Sequence, residues 1–551
     1  MSTTPSSCDI LVIGSGNAGF SAALSAAQTN PEADIILLDK CPQTWAGGNS
    51  YFTAGAFRTV HNGLPDLLPL VNNVNDPEKA NRIDMPIYSE ADFAHDLNRM
   101  TNGRTDPALA KILVQDSRST IAWLAQNGIR FQLSFNRQAY EVDNRIKFWG
   151  GLALKTEDGG KGLIEDHIRA AEKNGVRIFF DMAVSKLLTD AGSGSGAVIG
   201  VEGHHRASTS VKDANISTRT SRAKFAIRAK AVILAAGGFE ANPQLRAQYL
   251  GPGWDAARVR GTPYNTGDLL QIAQRDVSAK TAGNWSGCHS VAWDADAPAH
   301  GGDRGVSNEF TKSGYPLGIM VNRDGERFVD EGSDMRNYTY AMIGRRILAQ
   351  PGQVAFQVWD ARTTGWLREE EYRASVTRHL VGDSVEELAD RCVEVGLTGR
   401  QRFLDTVAEY NDAVRDSLAG KKWDPAVKDG VSTSGLTVPK SNWALPIDRA
   451  PFLAVRVTAG VTFTFGGLAV NPETAAVVSE TTGQEVPGLY CVGEMLGGLF
   501  HDNYPGGSGL TSGAVFGRRA GRAAAKSLGA GRAYSRLKSG VRCSLKRSIV
   551  D

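Results

Sequence analysis

The stretch that most constrains this chain runs from Cys8 to Lys40, CDILVIGSGNAGFSAALSAAQTNPEADIILLDK. The short run Asp9 to Ile13 stops at Gly14-Ser15-Gly16-Asn17-Ala18-Gly19, and an Ala-rich run of helical composition follows. That order reads as strand, tight turn, helix. The glycines serve three ends: a tight turn, close backbone approach to a pyrophosphate, and close packing of helix on strand. Phosphate oxygens would meet the unpaired N–H groups of a helix N-terminus. A second apolar run, Ile35 to Leu38, delivers Asp39 twenty residues after Gly19, where an acid can accept both hydroxyls of an adenosine ribose. A dinucleotide-binding unit is therefore expected.

The remaining composition narrows the setting. At 551 residues, 42% hydrophobic and 22% charged, the chain is long enough for two or more core-bearing units. Net charge is only +2, so no global field recruits nucleic acid or an anionic membrane, and the basic stretch 532–547 reads as a solvated terminus. Six cysteines are scattered without CxxC spacing, which argues against a metal site, an iron–sulfur cluster or a disulfide framework. They suit a reducing compartment, and a cytoplasmic address is expected. The first residues, MSTTPSSCDI, lack the charged and apolar regions of a secretion signal, and no apolar run approaches the roughly 18 residues of a membrane span.

Along the chain, WAGGNSYFTAGAFR (45–58) concentrates small residues that let backbone lie against a flat ring. Residues 61–90 read as an exposed excursion, and helices are expected at 109–127 and 161–174, with a strand at 176–180. The stretch 191–220, rich in Gly, Ser, Thr and His, reads as a mobile surface hairpin or loop. Ala229 to Phe239 gives a buried strand ending in paired glycines. From Trp285 to about Thr458 the texture turns to amphipathic helix and scattered aromatics, which suggests an inserted second domain. Glycine-terminated strands return with FTFGG (463–467), PGLYCVGE (487–494) and NYPGGSGLT (503–511), running into a helix at 512–525.

Taken together, GSGNAG, WAGGNS, LAAGGF, RGTPYNTGD, NWSGCH, GIMVNRDGERFVDEG, FTFGG, PGLYCVGE and NYPGGSGLTSGAVFGRRAG resemble a flavoprotein family. That family holds soluble fumarate reductases, succinate dehydrogenase flavoproteins, 3-ketosteroid dehydrogenases and FAD-dependent tricarballylate dehydrogenases, the last being the most similar. The resemblance implies an α/β fold with a Rossmann-like FAD-binding domain (1–284 and 459–551) interrupted by a smaller α+β capping domain (285–458). It also implies FAD, held by Gly14, Gly16, Asn17, Ala18, Gly19, Asp39 and Lys40 at the ADP portion. Gly47, Gly48, Asn49 and Ser50 would line the pyrophosphate and ring, and Gly237 the strand-end approach. Asp268 would contact ribityl or phosphate, Glu494 a ribose or ribityl hydroxyl, and Gly509, Leu510 and Thr511 the flavin pyrimidine edge.

Departures from the family pattern carry as much as the matches. GGNSYFT has no histidine for covalent attachment, so the FAD is expected to be non-covalent. The fumarate reductase His of HTMGG is Phe463 here, and the Arg of NRLGGN is Tyr504. Losing both makes fumarate or succinate an unfavourable substrate, because a small buried dianion needs charge-assisted partners. Tyr504 resembles the ketosteroid dehydrogenase tyrosine that polarises a substrate carbonyl. His289 and Arg336 fall near the family's substrate-binding histidine and proton-donating arginine.

The implied reaction introduces or reduces a C=C bond next to a carbonyl or carboxylate, with hydride passing to or from flavin N5 and a protein group handling the α-proton. A 3-ketosteroid-type dehydrogenase, or an electron-transfer subunit needing a partner, are the rivals. A small-molecule substrate is expected. Direction, oligomeric state and the electron donor or acceptor are left open, and no second nucleotide motif favours a nicotinamide.

Overall fold

The computed structural model describes residues 4–190, 196–206, 223–415 and 420–545, the last stretch with side chains to 529. Its largest sheet is centred on parallel strands in the order Glu485–Cys491, Lys224–Leu234, Ser7–Ile13, Ile35–Leu38 and Arg177–Phe179. The runs DILVI and IILL alternate between two cores. Ile10, Val12, Ile35 and Leu37 pack on one face, and Leu11, Ile13, Ile36 and Leu38 on the other. Parallel strands covered on both faces read as continuous apolar runs for this reason.

An antiparallel flap, Met182–Thr189 and Val198–His205, extends the sheet along the first half of Lys224–Leu234. Part of the stretch expected to be a mobile loop is thus ordered strand. Residues 191–195 and 207–222 lie outside the described residues, as do the side chains of the basic 532–547 stretch.

The expected helices form at Pro107–Gln126 and Gly159–Lys173, and the final helix runs Ser508–Leu545. Its GAVFGRRAGR segment packs against the first helix, Asn17–Thr29, through a glycine seam of period four. A Cβ on Gly517 would lie 2.6 Å from the carbonyl oxygen of Ala18, and one on Gly521 2.2 Å from that of Ala22. Only glycine allows that approach, which sets the N-termini of both helices side by side.

Residues 61–90 are not the exposed excursion that their Asn, Pro and Asp content suggests. His61 bridges to Tyr88, and His61, Leu67, Ile83 and Tyr88 are all buried. Leu67 and Ile83 pack in one core cluster with Ile121 and Leu124 of the helix Pro107–Gln126.

A second sheet builds the cap. Thr281–Asp294 and Phe452–Leu468 pair antiparallel along their length, and Arg258–Val259, Ala355–Trp359 and Leu380–Gly382 join Phe452–Leu468, with Ile319–Asn322 beyond. Gly283, Gly460 and residue 458 are paired within this ladder, while residue 285 falls where its pairing breaks. Pairing is interrupted between Asn284 and Cys288, where Trp285, Ser286 and Gly287 bulge. The helix Arg336–Leu348 lies on Thr281–Asp294, so close that a Cβ on Gly344 would meet the carbonyl oxygen of Val291 at 2.6 Å. No helix among the described residues is long and apolar enough to cross a membrane.

Candidate active site

One long cleft runs from the Gly14–Gly19 turn to the cap, and nearly every residue singled out in the sequence lies on it or directly behind it. Its first end is made of backbone. Gly14 has φ +117°, and a Cβ there would lie 2.2 Å from the carbonyl oxygen of Ala235; a Cβ on Gly19 would lie 1.9 Å from that of Gly14. Gly16 differs, because a Cβ there meets nothing nearer than Ser50 Oγ at 3.5 Å and opens onto the cleft. Gly16 caps the first helix without a side-chain bond, so its first-turn N–H groups beyond that of Asn17 are left for an anion.

Asp39 Oδ2 accepts from Ser15 N (2.8 Å) and Ser15 Oγ (2.7 Å), which ties the second strand end to the turn. Gly47 N donates to Ser15 Oγ and Asn17 N to Ser50 Oγ, both at 3.1 Å, so the 45–52 loop closes over the same turn. Lys40 Nζ pairs with Asp268 and Thr266, placing Asp268 beside the Asp39 end of the cleft. Gly237, at φ +74°, packs against the Asn265 amide. Gly19, Gly47 and Thr511 stand behind the wall: Thr511 Oγ1 donates to the Arg58 carbonyl (2.7 Å). The Asn17 amide likewise faces the protein, its Nδ2 donating to Leu510 O (2.8 Å) and its Oδ1 accepting from His167 Nε2 (3.0 Å).

Midway along lies a buried polar group that sequence reasoning had only half identified. Glu240 Oε1 accepts from Asn265 Nδ2 (2.6 Å) and from Asn49 Nδ2, while Glu494 Oε1 accepts from Thr464 N (2.7 Å). The two carboxyls lie against each other, an arrangement that a proton held between them would relieve. Burial, then the neighbouring carboxylate, push Glu240 well above the usual carboxylate range, and burial pushes Glu494 up to about 7.

The far end is made of side chains. Tyr504, His289, Tyr340 and Phe463 form an aromatic box, with His289 5.0 Å from Tyr504, 4.9 Å from Tyr340 and 5.4 Å from Phe463 between ring centroids. The Tyr504 and Tyr340 hydroxyls hydrogen-bond to each other. His289 borders the cleft, yet both its ring nitrogens are shielded and without a partner, and burial drives its pKa well below the ordinary value, so it is neutral. Gly509 and Leu510 line the wall next to this box.

Around the box lie four arginines: Arg137, Arg260, Arg336 and Arg368. Arg336, the expected proton donor, opens the helix Arg336–Leu348, donates to the Arg137 carbonyl and lies over Trp149. Arg137 and Arg368 both bond Glu371 Oε1, at 2.8 and 2.9 Å. Of the four, only Arg336 had been singled out from sequence. The expectation that a small dianion lacks charge-assisted partners is thereby corrected: the cation missing at position 504 is supplied by residues distant in the chain. Arg260 alone had a legible signal, lying inside RGTPYNTGD.

The helix bearing Arg336, Asn337 and Tyr340 is clasped to the cofactor domain. Tyr338 Oη donates to Asp96 Oδ2 (2.6 Å), which also accepts from Tyr88 Oη (2.7 Å) and the fully buried Arg58 (3.2 Å). Asn503 Nδ2 donates to the Tyr338 carbonyl and Gly506 N to that of Asn337. Residues two apart on a helix face opposite ways, so anchoring Tyr338 presents Arg336 and Tyr340 together on the other side.

Residues 9–510 match the family model described as FAD binding domain. The chain is 28% identical over 535 residues to the fumarate reductase (cytochrome) of Shewanella frigidimarina, covering 94% of this chain and 77% of that one. It is 27% identical over 600 residues to the 4-oxocyclohex-2-ene-1-carboxylate 5-dehydrogenase of Sinomonas cyclohexanicum, covering 94% of each. In fold it is similar to the open conformation of a flavocytochrome c3 fumarate reductase, with a TM-score of 0.67 at 24% identity over 95% of this chain and 79% of that one. A 3-ketosteroid Δ1-dehydrogenase from Sterolibacterium denitrificans gives the same TM-score at 19% identity, covering 95% and 100%. The glycine-walled cleft, open at Gly16 and long enough to pass from Asp39 to Tyr504, fits the extended FAD molecule that this family binds. The protein belongs to the FAD-binding family of flavoprotein oxidoreductases, with a Rossmann-like domain carrying a cap.

Proposed function

We propose that the protein interconverts a CH–CH and a C=C bond next to a carboxylate of a small polycarboxylic acid, as tricarballylate dehydrogenases do. The observation that carries this reading is the cluster of four guanidiniums at the far end of the cleft, which outnumber the two carboxylates paired with them, Glu370 and Glu371. Guanidinium forks bind carboxylates bidentately, and a neutral apolar ketone would leave these charges uncompensated in a buried site.

Bound FAD, held non-covalently because Gly47 to Thr53 offers no histidine, supplies a hydride acceptor or donor. The chain's own residues do the rest. The arginines orient the acid and neutralise its charge, and Phe463, Phe500 and the Tyr pair exclude water from the reacting carbons. Tyr504 Oη, hydrogen-bonded to Tyr340, stands where a proton can be exchanged with the α-carbon or a hydrogen bond given to a developing enolate oxygen. Neutral His289 supports the ring geometry of that pair. The aromatic box is the one feature favouring a ketone substrate.

The five described cysteines are unpaired and buried, which favours a reducing, cytoplasmic setting. A self-sufficient enzyme with a soluble electron partner suits this reading.

Anaerobic mixing of the purified yellow protein with propane-1,2,3-tricarboxylate, succinate and a 3-ketosteroid tests it. Bleaching of the flavin by a polycarboxylate is the expected result; bleaching by the steroid alone would overturn the reading. Acid precipitation should release intact FAD to the supernatant.

A further inference from the structure

Four arginines among the described residues are almost wholly buried, and three of them have carboxylate or backbone carbonyl partners, Arg368 through Glu371 and the carbonyls of Asn136 and Arg137. Arg58 pairs with Asp96 and donates to Tyr88 Oη and the Gly506 carbonyl. Arg246 spends its guanidinium on the carbonyls of Glu240, Trp254, Asp255 and Ala257. Arg260 is different. It is 6% exposed, donates from Nε to Thr311 Oγ1 (3.0 Å) and from Nη1 to Thr462 Oγ1 (3.1 Å), and has no carboxylate within ion-pair distance among the described residues. Its neighbours at this end of the cleft are the phenols of Tyr340 and Tyr504 and the neutral ring of His289.

A buried cation with only two hydroxyl partners is costly unless something else supplies the opposite charge. Burial holds the Arg260 pKa below its ordinary value, in keeping with a charge that is not compensated. The other arginines of the cluster are poorer candidates for a bare substrate carboxylate. Arg137 and Arg368 already share Glu371, and Arg336 is engaged with the Arg137 carbonyl.

We propose that Arg260 is the primary clamp for a substrate carboxylate, pre-oriented by Thr311 and Thr462, and that it takes over the charge lost where Tyr504 replaces an arginine. This deepens the polycarboxylate reading and rests on it. The position of Arg260 beside Tyr504 gives the clamp a second consequence. A carboxylate held there has its oxygens next to the guanidinium while the adjoining α-carbon faces the phenol pair. When the α-proton passes to the phenol pair with one of its oxygens ionised, the electron pair of that C–H bond moves onto the carboxylate oxygens, and Arg260 stabilises the added charge. Loss of hydride from the β-carbon to a bound flavin would then close the C=C bond and restore the carboxylate. The clamped carboxylate is therefore the one on the carbon that loses the proton.

The sequence reason for this placement is local. Arg258–Val259 pairs with Gly460–Val461, and Arg260 N donates to the Val461 carbonyl at 2.8 Å, so the side chain leaves the sheet edge toward the cleft next to Thr462.

The test uses the holoenzyme with propane-1,2,3-tricarboxylate and succinate as probes, read by perturbation of the flavin absorbance. Arg260→Gln should keep its FAD content and melting temperature while binding of the responding probe weakens about a hundredfold. Millimolar guanidinium should restore part of the binding in Arg260→Ala and none in the parent. Arg260→Lys, which keeps charge but not the fork, should fall between. If Arg260→Gln does not fold, Thr462→Val decides, with binding about tenfold weaker expected. Binding by Arg260→Gln, or by Thr462→Val where that variant decides, within about threefold of the parent overturns the clamp while leaving the polycarboxylate reading intact. A parent protein that responds to neither probe overturns both.

Discussion

The two ends of the cleft are built on opposite principles. At the cofactor end, consecutive residues of one turn present backbone N–H groups, and glycines make room for them. At the substrate end, side chains from six separated places in the chain, at 137, 260, 289, 336–340, 368 and 504, converge on one small volume. A backbone-built site tolerates almost no side-chain change but is indifferent to which polar residues surround it. A side-chain-built site is rewritten by single substitutions, which is how one fold serves fumarate, cyclic ketones and steroids among its relatives.

The sharpest way to break this comparison is at the glycines themselves. Gly19→Val should give no folded protein, since its Cβ would lie 1.9 Å from a backbone oxygen that cannot move away. Gly16→Val should fold, because the nearest protein atom to its Cβ is at 3.5 Å, and should be colourless for want of FAD. Circular dichroism and flavin content separate the two outcomes. A Gly16→Val protein that stays yellow would contradict the role of the turn.

Next in size comes Tyr504→Phe, which removes one hydroxyl and leaves the ring in its aromatic box. Turnover should fall on the order of 10²-fold with FAD content unchanged, as for loss of one preorganised donor. Tyr340→Phe should approach that loss, because the two hydroxyls are bonded to each other. An effect of less than about threefold in both would remove the phenols from the chemistry.

The legibility of the molecule divides along the same line. GSGNAG, the paired glycines after Leu234 and the Gly513, Gly517 and Gly521 seam are local, so a reader of the sequence can place the cofactor end. The length of each strand run and the return of glycine-terminated strands after 459 likewise carry the architecture. Arg137, Arg368 and Tyr340 carry no local signature. An arginine in a loop is usually solvated, and only the tertiary fold brings these together. Tyr504 was readable because a family pattern broke there. Its partner Tyr340 was not. The excursion at 61–90 misled for a related reason: its composition is that of a loop, but His61 and Tyr88 are fastened to each other and to the core.

A smaller effect is expected from the carboxyl pair in the middle of the cleft. An acid held above its unfolded pKa keeps its proton more tightly in the folded protein. Its contribution is therefore favourable below about 4.5 and is lost as pH rises toward about 7. Urea unfolding should show stability falling over that window by about 1.4 kcal/mol per pH unit for one linked proton. Glu240→Gln, which can donate to Glu494 permanently, should flatten that slope. A slope unchanged by the substitution would mean that the proton is not shared there.

The smallest expected effect tests how the substrate end is held. Tyr338→Phe removes one of three donors to Asp96 Oδ2 and should cost about 1 kcal/mol in stability. Amide exchange in the helix Arg336–Leu348 should quicken while that in Asn17–Thr29 stays as it was. Equal change in both helices would show a general loosening and no clasp.

The shared ladder of Thr281–Asp294 and Phe452–Leu468 bears on how such caps can diverge. Side chains alternate along it, so one residue inserted before His289 and absorbed into the strand would turn His289 from the cleft to the opposite face and move its inward neighbours with it. Caps of different size must therefore be spliced in by changes of even length, or by matched changes in both strands, or by insertions that the bulge at Trp285–Gly287 can swallow. Lineages that share this fold should accordingly show length polymorphism clustered at that bulge and at the loops beyond 294, with the paired stretch between inherited as a fixed ruler.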